Sequence, residues 1–250
     1  MSLFSTYLRS LLFLSLLVYG CSVDASVVMT NTRVIYPSDA KERTVQLTNN
    51  DTFPNVVQIW TDINNPESTP DNADGPFVTL PAIFKMEPKR GQLVRLIYSG
   101  DELPNDRESI FYLNFLQIPP VSKDNLGENQ MLVMLKHRVK VFYRPTELTT
   151  HSADIHKHMH FDVEYADNGI FVDIDNRSAF FASFVDMKIT AGNQELKIPI
   201  NMVDPKSKQT VKVKNQQFVL KYPIKVEFTL VNDYGGAVKN EYMIEAKPRR

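Results

Sequence analysis

The sequence predicts an all-β protein built from two β-sandwich domains. Three observations carry that expectation. Alternating apolar and polar runs recur about every ten residues, closed by turn residues, with almost no helical periodicity. The pattern breaks once, at Tyr143-Arg144-Pro145, and a second β pattern follows. The length of 250 residues, with 43% hydrophobic and 23% charged residues, suits two domains of ordinary size.

The N-terminus stands apart. "MSLFSTYLRSLLFLSLLVYGCSVDA" carries one basic residue, Arg9, and then the apolar run Leu11–Tyr19. Val23 and Ala25 occupy the positions that small or aliphatic residues take before a signal-peptidase cut. Residues 1–25 therefore read as a secretory signal peptide, and the mature chain starts near Ser26. The apolar run is shorter than the roughly 20 residues that span a bilayer, so no membrane insertion of the mature chain is expected. A lipoprotein signal at Cys21 is the alternative, and bulky Tyr19 fits it poorly. Cys21 is the only cysteine. Cleavage at Ala25 leaves none, so stability must come from packed cores rather than disulfides.

From Ser26 the strands follow in order. "SVVMTNTRVIY" closes at Pro37-Ser38-Asp39, and "RTVQLTN" closes at "NNDTFP". "NVVQIWTDI" closes on the polar run 64–75, with Trp60 expected in the core. "FVTLPAIFKM", "QLVRLIYSG" and "SIFYLNFLQIPP" come next, and then "MLVMLKHRVKVFYRP". In this last stretch alternation puts Met131, Val133, Leu135, His137 and Val139 on one face. Leu132, Met134, Lys136, Arg138 and Lys140 fall on the other. Its first half is apolar on both faces, so it is either a buried central strand or an adhesive edge. The first domain takes residues 26–143 and the second takes 144–250. In the second, "TELTTHSADIHKH" is polar, and Asp167-Asn168-Gly169 marks a hairpin between alternating runs. "FFASFVDMKITAGNQELKIPI", "QTVKVK" and "YPIKVEFTLVNDYGGAVKNEYMIEA" complete it.

Few chemistries survive inspection. A formal net charge of -1 gives no reason to expect nucleic acid or anionic lipid as a partner. There is no Gly-rich phosphate loop after a strand and no nucleophile elbow. His151, His156, His158 and His160 form the one metal-like cluster; on a strand, the last three would share a face. Without a carboxylate or cysteine to complete the set, a polar strand start or linker in the second domain is the plainer reading. Asn50 and Asn176 open glycosylation sequons. Asp173 and Asp175 read as a solvated strand face. Arg33 and Lys140 are cations that a cleft between domains could use; the plainer readings are a solvated strand face or an internal salt bridge.

Four passages then carry a resemblance: "TRVIYPSDAKERTVQLTN" (32–49), "LPNDRESIFYLNFLQIPP" (103–120), "KVFYRP" (140–145) and "VNDYGG" (231–236). In order and spacing they resemble the periplasmic chaperones of the chaperone–usher pathway, which assemble bacterial pili and fimbriae. The resemblance implies two immunoglobulin-like sandwiches in a boomerang with an interdomain cleft. It implies a binding protein rather than an enzyme, with no cofactor. Its partners would be pilus subunits, capped by donor-strand complementation, and an outer-membrane usher. Self-association through the donor edge is a further expectation. Arg33 and Lys140 match the anchors for a subunit's C-terminal carboxylate. Met131, Val133 and Leu135 match the donor side chains; His137 stands where the family has a smaller residue. Glu108, Arg144 and Asp233 match a charged trio between the domains. The short segment Val121–Glu128 resembles the short-loop subclass. "NRSAFF" departs from the family's proline-rich pattern. A structural or adhesive fimbrial protein and a metal-binding periplasmic protein are the rival readings.

Overall fold

The fold follows from alternation that feeds one face of each strand into a core. In a computed structural model, residues 26–100, 102–121, 131–166, 169–214 and 217–245 are described. Residues 1–25, read above as a signal peptide, Asp167-Asn168 and most of the short segment after Val121 lie outside them.

The first sandwich packs two sheets. One has the order β1 (Val27–Met29), β3 (Arg43–Asn49), β7 (Gly91–Tyr98) and β5 (Phe77–Leu80). The other has the order β2 (Arg33–Pro37), β9 (Leu135–Arg144), β8 (Ser109–Ile118), β4 (Asn55–Asp62) and β6 (Ile83–Met86). In β3, Val45 and Leu47 point inward while Thr44 and Gln46 point out, the period-2 pattern of a half-buried strand. "FVTLPAIFKM" is divided at Pro81, which sends β5 to one sheet and β6 to the other. Leu47, Val94, Leu96, Leu113, Phe115 and Val141 form the center of this core.

Trp60 corrects the sequence reading. It is buried, but on the outer face of β4 rather than between the sheets. The run 64–75 folds back over it, and the indole Nε1 donates to Ser68 Oγ at 2.8 Å.

The second sandwich packs β10 (Met159–Ala166), β11 (Gly169–Asn176) and β15 (Ser207–Val213) against a second sheet. That sheet holds β13 (Gln194–Lys197), β12 (Ala182–Ala191), β16 (Ile224–Val231) and β17 (Ala237–Ile244), with β14 (Met202–Val203) paired to β12. Ile170, Val172 and Ile174 of β11 are fully buried, and Phe171, Asp173 and Asp175 lie on its opposite face. β10 and β11 pair as a hairpin in the register Ala166↔Gly169.

The stretch after Pro145 divides between the two plain readings: His156 and His158 lie on a connection, and His160 lies at the start of β10. Ser152–His158 is a 3-10 helix, not a strand start. At about three residues per turn, His156, His158 and His160 do not line one strand face. His156 Nδ1 lies 3.1 Å from Ala153 O, whereas His160 Nε2 faces Arg177. Among the described residues no group of three His, Cys, Asp or Glu could hold a metal ion. Asn176 is wholly buried and its amide donates to the carbonyls of Phe180, Val203 and Asp204, so its sequon is inaccessible in the folded chain.

The first core makes a direct prediction. Leu47→Ala removes a fully buried side chain and should cost about 2–5 kcal/mol. Urea unfolding followed by tyrosine and tryptophan fluorescence should show the midpoint of the first domain fall.

Candidate functional site

β9 brings an open edge, a cation pair and a contact with the second domain together along ten residues. Its C-terminal half, Lys140–Arg144, lies between β2, running parallel, and β8, running antiparallel. Its N-terminal half, Leu135–Val139, pairs with β8 alone, so one edge is open among the described residues. The open edge ends where β2 begins, at the register Arg33↔Lys140.

The open half is apolar and unshielded. Leu135 is 43% exposed, Val133 59% and Met131 92%. Residues 131–134 precede the strand, so of the four residues in the row only Leu135 and His137 lie within it. The inward face of β9 continues from Val141 through Val139 to His137 and Leu135. His137 closes the row. Its ring stacks on buried Phe115 with centroids 4.6 Å apart, which sets it against its own domain. Burial lowers its pKa and favors the neutral ring.

Arg33 and Lys140 stand side by side on the other face. Arg33 is 9% exposed; its Nη1 donates to Val231 O at 3.0 Å, and its guanidinium lies over the Phe142 ring. Its buried Nε has no partner. Among the described residues no carboxylate forms an ion pair with either cation. Burial lowers both pKa values, and the charge of Arg33 depresses Lys140 further. Two partly desolvated cations without a counter-ion make a site for an anion.

The next outward residue but one is Arg144. Its Nε donates to Glu108 Oε1 at 2.7 Å, and Nη1 and Nη2 form a fork on Asp233 at 2.7 and 2.8 Å. Glu108 immediately precedes β8 in the first sandwich; Asp233 sits in the β16–β17 turn of the second. Ser152 also donates to Asp233, and the Phe181 amide donates to Glu108 Oε2. Burial pushes Glu108 up, against the pull of Arg144. For Asp233 burial is opposed by the Arg144 and Ser152 hydrogen bonds, which hold the carboxyl below its usual range. The turn itself is built by Asn232, whose Oδ1 accepts from the amides of Tyr234 and Gly236. Gly235 adopts a φ of 84°, and a Cβ there would overlap Thr32 Oγ1 across the domain junction.

A cavity of about 240 Å³ opens between the domains, lined by Arg33, Phe142, Phe180, Phe181, Ile155 and Asp233 among others.

One pair escaped sequence reasoning. Asp62 is fully buried, accepts from Arg138 Nη2 at 2.7 Å and from Asn114 Nδ2 at 2.5 Å, and so neutralizes the cation between Lys136 and Lys140. Burial alone would raise Asp62, but these donors hold it low. Lys136 in turn donates to the carbonyls of Pro66 and Ser68. The alternation of Lys136, Arg138 and Lys140 could have prompted a search for an acid; its position 76 residues away in sequence gave no local sign.

An open strand edge beside an interdomain cation pair defines a β-sandwich protein suited to binding an extended chain, and comparison with known proteins agrees. Residues 26–149 match the family model for the pili and flagellar-assembly chaperone PapD N-terminal domain, and residues 154–242 match the pili assembly chaperone PapD C-terminal domain. The chain belongs to this pilus-chaperone family. It is 34% identical over 241 residues to chaperone protein HifB of Haemophilus influenzae, covering 93% of this chain and 95% of that one. It is 30% identical over 233 residues to the probable fimbrial chaperone YadV of Escherichia coli, covering 92% and 94%. The crystal structure of YadV superposes with a TM-score of 0.74 over 88% of this chain and 100% of that one, at 30% identity.

The Arg144 joint yields two predictions. Arg144→Gln strands Glu108, which is 4% exposed, without its cation and should cost about 3–5 kcal/mol in urea unfolding. Asp233 has a folded pKa below its unfolded value of about 3.9, so its contribution is present above that value and is lost as pH falls through the folded pKa. Between pH 5 and pH 3 the wild-type protein should therefore lose more stability than Asp233→Asn, measured as the difference in urea midpoint.

Proposed function

We propose that this protein is a periplasmic chaperone that binds pilus subunits along the open edge of β9 and delivers them to an outer-membrane usher. The observation that carries the reading is the end of that edge at Arg33 and Lys140. A strand added beside Leu135–Val139 lies in line with β2. If it runs parallel to β9, its C-terminus meets the two cations and its carboxylate takes charge-assisted hydrogen bonds. If it runs antiparallel, a terminal ammonium meets them instead and is repelled. The charge thus selects a parallel client strand with a free C-terminus.

Extending β9 backward by the same alternation puts Val133 and Met131 on the face of Leu135. Met131, Val133 and Leu135 serve as donor side chains that complete a client's unfinished sandwich. Each would contribute roughly 1.5–3 kcal/mol on full burial, before ordering costs. His137, stacked on Phe115, forms the floor of the row. Glu108, Arg144 and Asp233 hold the angle between the chaperone domain, residues 26–143, and the second domain, residues 144–250. The segment 1–25 acts as the signal peptide that brings the chain to the periplasm; among the described residues no helix is long and apolar enough to cross a membrane. The role is binding rather than catalysis. In the absence of a client, the same open edge supports self-association.

The test is recovery of subunit. Affinity pull-down of the tagged protein from the periplasm of a piliated strain, read by mass spectrometry, should return a pilus subunit. Arg33→Ala and Lys140→Ala should each reduce that yield at least tenfold, with circular dichroism unchanged. Normal yield from both variants would sink the anchor assignment.

A further inference from the structure

The most exposed donor residue is a thioether. Met131 is 92% exposed, whereas Met86, Met159 and Met187 are at most 2% exposed within the two cores. Met134 at 51% and Met243 at 44% are the other exposed methionines among the described residues. The sole cysteine, Cys21, falls in the proposed signal segment, so the mature chain has no thiol to react first.

We propose that Met131 is a reversible oxidation site that switches off client capture, an inference resting on the donor-strand reading above. The oxidant class is a peroxide or hypohalous acid. With hydrogen peroxide, the sulfur lone pair attacks one oxygen, an S–O bond forms and the O–O bond breaks. The sulfur is oxidized by two electrons to the sulfoxide, and the peroxide is reduced to water. A thiol-dependent methionine sulfoxide reductase restores the thioether.

The consequence follows from position. A thioether is an adaptable apolar group suited to an irregular groove. A sulfoxide is polar, and burying it in a client's apolar groove without a hydrogen-bond donor is unfavorable. The fold is spared, because neither core cluster includes any of residues 131–134. In the backward extension of β9 proposed above, Met134 falls on the face opposite Met131, and Met243 lies on β17 of the second domain. These two supply internal controls: they are open to the oxidant, but their sulfoxides do not enter the groove.

The experiment treats the mature protein with graded hydrogen peroxide and maps sulfoxide at each methionine by peptide mass spectrometry. Capture is then measured with the subunit recovered in the pull-down above, diluted from urea. Met131 should convert well before Met86, Met159 and Met187. Capture should fall about tenfold, equivalent to ~1.4 kcal/mol, in step with Met131 sulfoxide and not with Met243 sulfoxide. For Met131→Leu, the ratio of treated to untreated capture should stay near one. Prior loading with subunit should slow Met131 conversion selectively.

Unchanged capture at full Met131 conversion overturns the proposal, as does equal loss in Met131→Leu. So does conversion of Met131 no faster than that of the core methionines. Failure of the untreated protein to capture any subunit counts instead against the chaperone reading.

Discussion

The cleft depends on one side chain. Arg144 is the last residue of β9; its backbone pairs with Pro37 inside the first sandwich, while its guanidinium forks onto Asp233 of the second. The same guanidinium holds Glu108, whose own amide donates to Ala179 O in the second domain. Phe180 lies against the Arg144 cation at 5.1 Å. A buried network of this kind is weak evidence for stability, since an apolar replacement could pack as well. On the proposed reading it supplies a fixed orientation. Arg144 and Lys140 are four residues apart on one strand face, about 13 Å along it. Fixing Arg144 between the domains therefore fixes where Lys140 and its neighbor Arg33 open into the cleft.

The distribution of acids around that face leaves two cations at the cleft without an ion-pair partner among the described residues. Arg138 takes Asp62, and Arg144 takes Glu108 and Asp233. Lys136 is held by carbonyls. Arg33 and Lys140 have no acid of their own, although Glu108 and Asp233 are near enough to favor the Arg33 charge. Burial works against both charges. On the proposed reading, a client carboxylate arriving between them would offset that cost.

Much of this was legible in the sequence, and what was not has a physical reason. Period-2 alternation places Val45 and Leu47 of β3, and Ile170, Val172 and Ile174 of β11, on buried faces, because a strand leaves a side chain no other choice. The outward row from Lys136 to Arg144 reads off in the same way. Alternation says nothing of what covers a face, however. Trp60 looked like core and is buried instead beneath the run 64–75, through a hydrogen bond to Ser68. The histidines after Thr150 read as a strand start or a linker; His156 and His158 sit on a 3-10 helix and His160 on β10, because the polar connection before Met159 has no apolar face to bind it to a sheet. Arg138 with Asp62 is a long-range pair, and local pattern carries no record of such pairs.

The stretch 131–139 shows how an adhesive edge can coexist with a stable fold. Its exposed apolar residues, Met131 to Leu135, contribute to neither core cluster. The strand proper is fastened elsewhere, by β8 along its length, by β2 after Val139, and by Lys136 and Arg138 on its outer face. Those cations also limit the hazard. Charged side chains on an edge strand oppose indiscriminate pairing, and here they flank the open segment on one face while the apolar row occupies the other. On the proposed reading, binding and stability fall to different residues of one stretch: the exposed apolar row 131–135 meets the client, while buried Val141 and Phe142 and the Arg144 joint serve the fold.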